Sequence, residues 1–204
     1  MSVTKIIGIT GPTGAGKTTA LREVEMLGGA VIDCDAVYHQ MLESDTTLQG
    51  KLEKAFGPLR DKDGRIDRKR LGAIVFQDSE KLEQLNEIVR QSVCAKVASL
   101  VTELENQGRE LAAIDAFALV ESPLADLCDV TLAVTAPPEV RIRRIMAREG
   151  ISEDYARSRV QSQKPDCYYQ DRCDYTLVND CDSAEVFGQR SRALLESILV
   201  KDIQ

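Results

Sequence analysis

The chain has 204 residues, of which 43% are hydrophobic and 29% are charged, a balance that fits one compact α/β unit and excludes a disordered chain. The formal net charge is −7, from 26 lysines and arginines against 33 aspartates and glutamates, which argues against a nucleic-acid partner. No apolar stretch is long enough to span a bilayer, and the first residues lead directly into a strand pattern without a signal peptide, so we expect a cytoplasmic protein.

The first predicted strand, residues 5–10, ends at a glycine-rich loop. Residues 11–18 fit the pattern G-x-x-x-x-G-K-[ST] at every fixed position, and a helical pattern follows. Such a loop wraps a phosphate with its backbone N–H groups at the positive end of the helix, while the lysine neutralises the β- and γ-phosphates and the Thr18 hydroxyl ligates Mg²⁺. The sequence therefore predicts an ATP·Mg²⁺ site formed by Gly11, Thr13, Gly14, Ala15, Gly16, Lys17, Thr18 and Thr19.

A second strand, residues 30–32, delivers two carboxylates at its carboxyl end, Asp33 and Asp35. A carboxylate at this point can accept the proton of an attacking hydroxyl while the γ-phosphate is held in line. The alternative is a strand-end aspartate that caps the next helix. We interpret Asp33 as the catalytic base and Asp35 as the cap, because a helix pattern begins directly after Asp35.

Residues 36–104 form a long, mainly helical excursion between the second and third strands. Asp61 to Gly64 reads as a turn, and from Asp78 onward apolar residues recur at helical spacing as far as Leu104. This pattern is typical of a substrate-binding cover that belongs to the same domain.

The third strand, residues 111–115, ends at Asp115, which could hold the water shell of the metal in the manner of a Walker B aspartate. Glu121 follows shortly after it. Either residue could instead be an ordinary carboxylate at a strand end or in a loop, and both interpretations stay open.

After a fourth strand, residues 130–134, a helix opened by a pair of prolines carries Arg141, Arg144 and Arg148 on one face. Gly150 breaks this helix and Ser152 can cap the next, so residues 139–170 are predicted to form a short helical lid. Arginines on a lid can supply forked donors to a transferring phosphoryl group, and we interpret Arg144 and Arg148 as catalytic residues. The alternative is a solvated basic face.

A last strand, residues 175–178, completes the alternation of short strands and helices. The pattern predicts a three-layer α/β/α fold of the P-loop NTPase type with a five-stranded parallel sheet. We expect residues 1–204 to form a single domain whose core comprises residues 1–35, 105–138 and 171–204. Ligands should sit beyond the carboxyl ends of the strands.

Several further segments, in order, resemble the dephospho-CoA kinase family over nearly the whole chain. Beside the phosphate-binding loop, these are residues 31–35 (VIDCD), 56–57 (FG), 63–68 (DGRIDR), 75–76 (VF) and 144–152 (RIMAREGIS). The resemblance implies phosphorylation of the ribose 3′-hydroxyl of dephospho-CoA with ATP and Mg²⁺. We expect a monomer or weak homo-oligomer. It also implies that Asp33 is the base, that Lys17 belongs to the ATP site and that Arg144 and Arg148 are lid arginines.

Three segments depart from the pattern of that family. Arg90-Gln91-Ser92 stands near a usual His-Pro pair, residues 115–121 replace a usual Asp-x-Pro-Leu-Leu-x-Glu, and Arg141 stands where glutamine is frequent. The first two flank the acceptor side. Two alternatives therefore stay open: a kinase for another nucleoside-like or pantetheine-bearing acceptor, and a non-catalytic nucleotide-binding protein.

Overall fold

In the computed structural model, which describes residues 4–181 and 183–201, five strands form one sheet. The spatial order is β2-β3-β1-β4-β5, and β1 runs parallel to both β3 and β4, as β4 does to β5. This all-parallel sheet confirms the predicted fold class. The strands are β1 (Lys5–Thr10), β2 (Ala30–Asp33), β3 (Leu111–Asp115), β4 (Val130–Thr135) and β5 (Tyr175–Val178).

Except between β3 and β4, α-helices connect the successive strands, as is usual between parallel strands. Two short 3₁₀ turns, Leu119–Glu121 and Ala125–Leu127, lie between β3 and β4. No helix in the described ranges is long and apolar enough to cross a membrane. The helices are α1 (Lys17–Met26), α2 (Cys34–Ser44), α3 (Thr46–Phe56), α4 (Arg68–Val75), α5 (Ser79–Asn106), α6 (Pro138–Glu149), α7 (Glu153–Gln161), α8 (Asp166–Gln170) and α9 (Ala184–Lys201).

The main core lies between the central strands and the helices α1 and α9. Ile7 and Ile9 of β1 and Leu132 of β4 are fully buried, and Phe187 of α9 packs into the same cluster. Burying one such side chain stabilises the fold by about 1.5–3 kcal/mol. This core fixes the carboxyl ends of β1 and β4, from which the loops of the candidate site emerge.

The chain divides into two compact units. One comprises residues up to 32 and from 101 onward, and the other comprises residues 33–100. In the second unit, an antiparallel bridge between Arg60 and Ile66 closes the turn predicted at Asp61 to Gly64. Its helices α2 to α4 bury Leu48, Leu52 and other aliphatic residues.

Candidate active site

A cavity of about 370 Å³ lies beside the loop between β1 and α1, in the first unit. Its lining combines backbone of that loop with cationic side chains from α6 and α7 and one carboxylate from β3. Gly11, Ala15 and Thr19, also predicted to bind the nucleotide, do not line it. The lining residues are Pro12, Thr13, Gly14, Gly16, Lys17, Thr18, Asp115, Arg144, Arg148 and Arg159.

The loop needs glycine at two points, and the same two reasons apply at each. Gly11 has a φ of 138°, and a Cβ atom there would lie 2.0 Å from the carbonyl oxygen of Val134. Gly16 has a φ of 109°, and its Cβ atom would lie 2.3 Å from the Nδ2 atom of Asn179. Both the left-handed backbone and the close approach of β4 and Asn179 therefore exclude a side chain.

Lys17 begins α1 and folds back over the loop. Its Nζ atom donates a hydrogen bond to the carbonyl oxygen of Gly11 at 2.9 Å. The ammonium group therefore lies beside the loop backbone and lines the cavity, in the position expected of a group that neutralises bound phosphates.

Three N–H groups of the loop region are engaged within the protein. Thr13 donates to Oε1 of Gln163 at 3.0 Å, Ala15 to the Pro12 carbonyl at 3.2 Å, and Thr19 to the Gly16 carbonyl at 2.9 Å. The sequence assigned all three residues to nucleotide binding. With these N–H groups engaged, a phosphate would meet the backbone of the remaining loop residues.

Arg144 of α6 joins the loop to the segment that follows β5. Its Nη1 atom donates to the carbonyl oxygens of Gly14 and Ala15 at 3.3 and 3.4 Å, and its Nη2 atom donates to Oδ1 of Asn179 at 3.0 Å. Arg141, one turn earlier, is buried and is not among the cavity-lining residues. The helix face that carries Arg141, Arg144 and Arg148 is therefore buried at Arg141 and is not solvated along its whole length.

Arg148 of α6 and Arg159 of α7 share one carboxylate partner. Glu149 accepts a hydrogen bond from Arg148 Nη2 at 2.6 Å, and its other oxygen accepts a short one from Arg159. The bonds from Arg148 and then Arg159 hold the pKa of Glu149 below its usual value. The sequence analysis did not identify Arg159 as a site residue. Its place in the cavity follows from the packing of α7 on α6.

Thr18 and Asp115 are the two predicted metal ligands, and both line the cavity. A hydroxyl and a carboxylate supply hard oxygen donors of the kind that Mg²⁺ prefers. No group of three or more His, Cys, Asp or Glu side chains in the described chain could hold a metal alone. The donor set thus fits a Mg²⁺ ion whose coordination is completed by phosphate and water.

Glu121, the other candidate carboxylate, has a different partner. Its Oε1 atom accepts a hydrogen bond from the Tyr168 hydroxyl at 2.7 Å, and Glu121 does not line the cavity. This bond contributes to the raised pKa of Tyr168. Of the two carboxylates that the sequence left open, Asp115 therefore remains the candidate for the metal.

Asp33 ends β2 and caps α2. Its Oδ1 atom accepts the Ala36 N–H at 3.0 Å, whereas Asp35 lies inside the first turn of the helix. The prediction of Asp35 as the cap is therefore wrong. The helix begins one residue after the strand, at Cys34, and only Asp33 retains the extended backbone of a capping residue.

A second cavity of about 220 Å³ also has Arg144 in its wall. Val140, Arg143 and Ala147 of α6 line one side, and Cys181 lines the other. Arg144 therefore separates the phosphate-binding loop from a pocket with both apolar and cationic walls.

The two departures on the acceptor side have local partners of their own. In α5, Glu87 accepts hydrogen bonds from the side chains of Arg90 and Gln91. After β3, the side chain of Phe117 is 46% exposed, and its carbonyl oxygen accepts a hydrogen bond from Thr10. Arg90 and Gln91 are thus fixed by Glu87, whereas Phe117 presents an aromatic ring to solvent.

Comparison with known proteins shows the family to which the chain is similar. The sequence profile described as Dephospho-CoA kinase matches residues 5–185. A Dephospho-CoA kinase of Dehalococcoides mccartyi is 35% identical, with 87% of this chain and 89% of that protein aligned. One from Carboxydothermus hydrogenoformans is 36% identical over 81% of each chain.

Solved structures share the fold. A crystal structure from Thermus thermophilus superposes with a TM-score of 0.75 at 29% identity and covers 97% of both chains. The dephospho-CoA kinase of Campylobacter jejuni gives a TM-score of 0.63 at 23% identity, with 96% of this chain and 98% of that one covered.

Proposed function

Because the chain belongs to the dephospho-CoA kinase family, we propose that it transfers the γ-phosphate of ATP to the ribose 3′-hydroxyl of dephospho-CoA, giving ADP and CoA. The observation that supports the proposal most strongly is the cavity in which the phosphate-binding loop meets Lys17, Asp115 and the arginines of α6 and α7. Such a set of cations around a backbone cradle suits a transferring phosphoryl group.

In the proposed complex, the β- and γ-phosphates of ATP lie against the loop. Gly14, Gly16 and Thr18 donate their backbone N–H groups to these phosphates. The ammonium group of Lys17, which bonds to the Gly11 carbonyl in the free protein, also donates to the phosphate oxygens. Arg144 is preorganised by four hydrogen bonds to fixed acceptors, so it loses little freedom when the nucleotide binds. The pocket beyond Arg144 takes the nucleoside part of ATP.

We assign Mg²⁺ binding to the Thr18 hydroxyl and the Asp115 carboxylate, which line the phosphate cavity. When bound, Mg²⁺ would supply positive charge that offsets the negative charge developing on the transferring phosphoryl group. The protein contributes the two oxygen ligands and the cationic surroundings.

In the proposed reaction, the 3′-hydroxyl oxygen of the acceptor attacks the γ-phosphorus as the bond to the β-phosphate oxygen breaks. The hydroxyl proton passes to the carboxylate of Asp33, and ADP leaves with the electron pair of the broken bond. The hydrogen bond from Ala36 to Oδ1 fixes the orientation of this carboxylate.

The proposal extends to the organisation of the chain. Residues 36–104 bind the acceptor, and residues 139–170 act as the lid over the nucleotide. The compactness of the unit formed by residues 33–100 supports a distinct acceptor-binding part.

The six free cysteines favour a reducing, cytoplasmic location. Separately, we propose that the protein is a monomer or a weak homo-oligomer.

The test is an acceptor panel with ATP and Mg²⁺, in which dephospho-CoA, adenosine and pantetheine are compared and the products are identified by mass spectrometry. We expect one phosphoryl group to be added to dephospho-CoA, yielding a product that co-elutes with CoA. Phosphorylation of another acceptor in its place would overturn the substrate assignment. ATP binding without turnover on any acceptor would identify a non-catalytic protein.

A further inference from the structure

Both backbone polar groups of Thr13, in the first half of the phosphate-binding loop, are held by side chains. Its carbonyl oxygen accepts a hydrogen bond from Nε of Arg141 at 3.0 Å. Its N–H group donates to Oε1 of Gln163 at 3.0 Å. The same Oε1 atom also accepts from Nη2 of Arg141 at 2.6 Å, so the two side chains and the backbone of Thr13 form a closed triangle.

Arg141 is an unusual residue in this place because it is only 2% exposed. A buried guanidinium is costly unless its donors have acceptors and its charge has a partner. Nε and Nη2 bond to the triangle, and Nη1 lies 3.6 Å from Oδ1 of Asp166. Burial lowers the pKa of Arg141, and the nearby Asp166 partly offsets this effect. Burial also raises the pKa of Asp166, and Arg141 partly offsets that effect.

The backbone of α6 also approaches the loop closely. A Cβ atom on Gly14 would lie 3.0 Å from the carbonyl oxygen of Arg141, so a side chain at this position would press against the helix backbone. Gln163 follows the end of α7, and its own N–H group bonds to the Val160 carbonyl. The backbone of Thr13 is thus fixed between the first turn of α6 and the end of α7.

We propose that Arg141 and Gln163 are positioning residues for the nucleotide, and we call this pair the Thr13 clamp. The Thr13 carbonyl and the Gly14 N–H belong to one planar trans peptide, so by fixing both backbone polar groups of Thr13 the clamp also sets the direction of the Gly14 N–H, and Gly14 lines the phosphate cavity. This inference rests on the proposed use of the loop for ATP. Since Arg159 lies on α7 just before Gln163, the clamp also ties the loop to the helix that carries a cavity arginine.

The test compares Arg141→Met and Gln163→Met, which keep an unbranched side chain but remove the hydrogen bonds, with Gln163→Glu, which keeps the acceptor. The controls are Arg157→Met, whose partners Glu139 and Glu153 are on the surface, and Gln161→Met at the exposed end of α7. Each variant is measured for ATP affinity by calorimetry, for KM of ATP and of dephospho-CoA, and for thermal unfolding.

We expect both methionine variants to weaken ATP binding and to raise the KM for ATP by about tenfold or more, the effect of losing one to two net hydrogen bonds. The KM for dephospho-CoA should change little. Gln163→Glu should bind ATP with about the affinity of the wild type. The double methionine variant should lose less than the product of the two single losses, because both side chains act on the backbone of one residue and bond to each other.

Lower thermal stability with unchanged ATP affinity would overturn the proposal and leave Arg141 a purely structural residue. An equal loss in Gln163→Glu and Gln163→Met would also overturn it. Calorimetry keeps this test separate from the proposed reaction, because a wild type that binds ATP but does not phosphorylate dephospho-CoA refutes only the latter. A wild type that does not bind ATP refutes both.

Discussion

The buried amide of Asn179 connects Arg144 to the phosphate-binding loop. Its Oδ1 atom accepts a hydrogen bond from Arg144 at 3.0 Å, and its Nδ2 atom donates to the carbonyl oxygen of Ala15 at 2.8 Å. Asn179 follows β5 directly and is 4% exposed. The loop after β1, the helix α6 and the end of β5 therefore share one hydrogen-bonded junction.

Replacement of Asn179 by alanine should disrupt this junction. The Ala15 carbonyl would lose its shorter side-chain hydrogen bond and keep only that from Arg144, and Arg144 would lose one acceptor. A lost buried partner costs about 1–3 kcal/mol of unfolding free energy. We expect a higher KM for ATP together with the lower stability, measured by steady-state kinetics and denaturant unfolding. Asn106→Ala, at the exposed end of α5, is the control, and equal kinetics in the two variants would contradict the role of the junction.

Lys17→Met should abolish most of the activity. The ammonium group lies beside the Gly11 carbonyl and lines the phosphate cavity, so its removal withdraws a preorganised charge from the transferring group. We expect a loss of about a hundredfold or more in kcat/KM, the scale of one such contact. Lys81→Met, which removes only a surface ion pair with Asp78, should behave as wild type. A loss below tenfold in Lys17→Met would argue against its contact with the phosphate.

Arg159→Met should lower kcat more than it raises the KM for ATP. Arg159 lines the cavity but bonds to Glu149, and a γ-phosphate would compete with that carboxylate most strongly as its charge spreads in the transition state. We expect about a tenfold effect on kcat, smaller than for Lys17 because the side chain is partly exposed. The matched control is Arg157→Met on the same helix, and identical kinetics in both variants would remove Arg159 from the site.

The stability of the sheet edge should depend on pH through Asp174. Its Oδ2 atom accepts the N–H and the hydroxyl of Thr131 at 2.8 Å each, and these bonds, the backbone one first, hold the pKa of Asp174 below its usual value. A lowered folded-state pKa means that the ionised carboxylate contributes stability above about pH 4, and that this contribution disappears as the pH falls through the folded pKa.

Asp174→Asn should therefore be less stable than wild type at pH 7, by about 1 kcal/mol because the carboxylate is largely exposed. The difference should shrink toward pH 3, as followed by denaturant unfolding at several pH values. The exposed Asp171, which follows the end of α8, provides the reference variant Asp171→Asn. A stability difference between Asp174→Asn and wild type that stays constant with pH would contradict the role of the ionised Asp174 carboxylate in the contact with Thr131.

The strands, the phosphate-binding loop and the turn at Gly150 could be predicted from the sequence because their signals are local. Gly150 has a φ of 66° and ends α6, and Ser152 caps α7 as expected. The choice between Asp33 and Asp35 as the cap was not readable, since it depends on whether the strand gives way to the helix one residue earlier or later. That boundary is set by pairing in the sheet.

The Thr13 clamp could not be predicted for a different reason. Thr13 and Gln163 are 150 positions apart, and Arg141 is 128 positions from Thr13. The spacing of Arg141, Arg144 and Arg148 placed them on one face, but spacing does not show which end of the face packs against another segment. The same face is buried at Arg141 and exposed at Arg148. Only the packing of α6 on the loop separates these environments.

In the proposed reaction, phosphoryl transfer requires the acceptor, and Asp33 is the base. The measurement that tests it most directly is ADP release from ATP·Mg²⁺ with and without dephospho-CoA, for wild type and Asp33→Asn. Asparagine retains the capping bond to Ala36, so the fold and ATP affinity should persist while kcat falls by about 10²–10⁴. We predict release that requires dephospho-CoA in wild type and is nearly absent in the variant. Release that is independent of the acceptor, or equal in both proteins, would contradict the account.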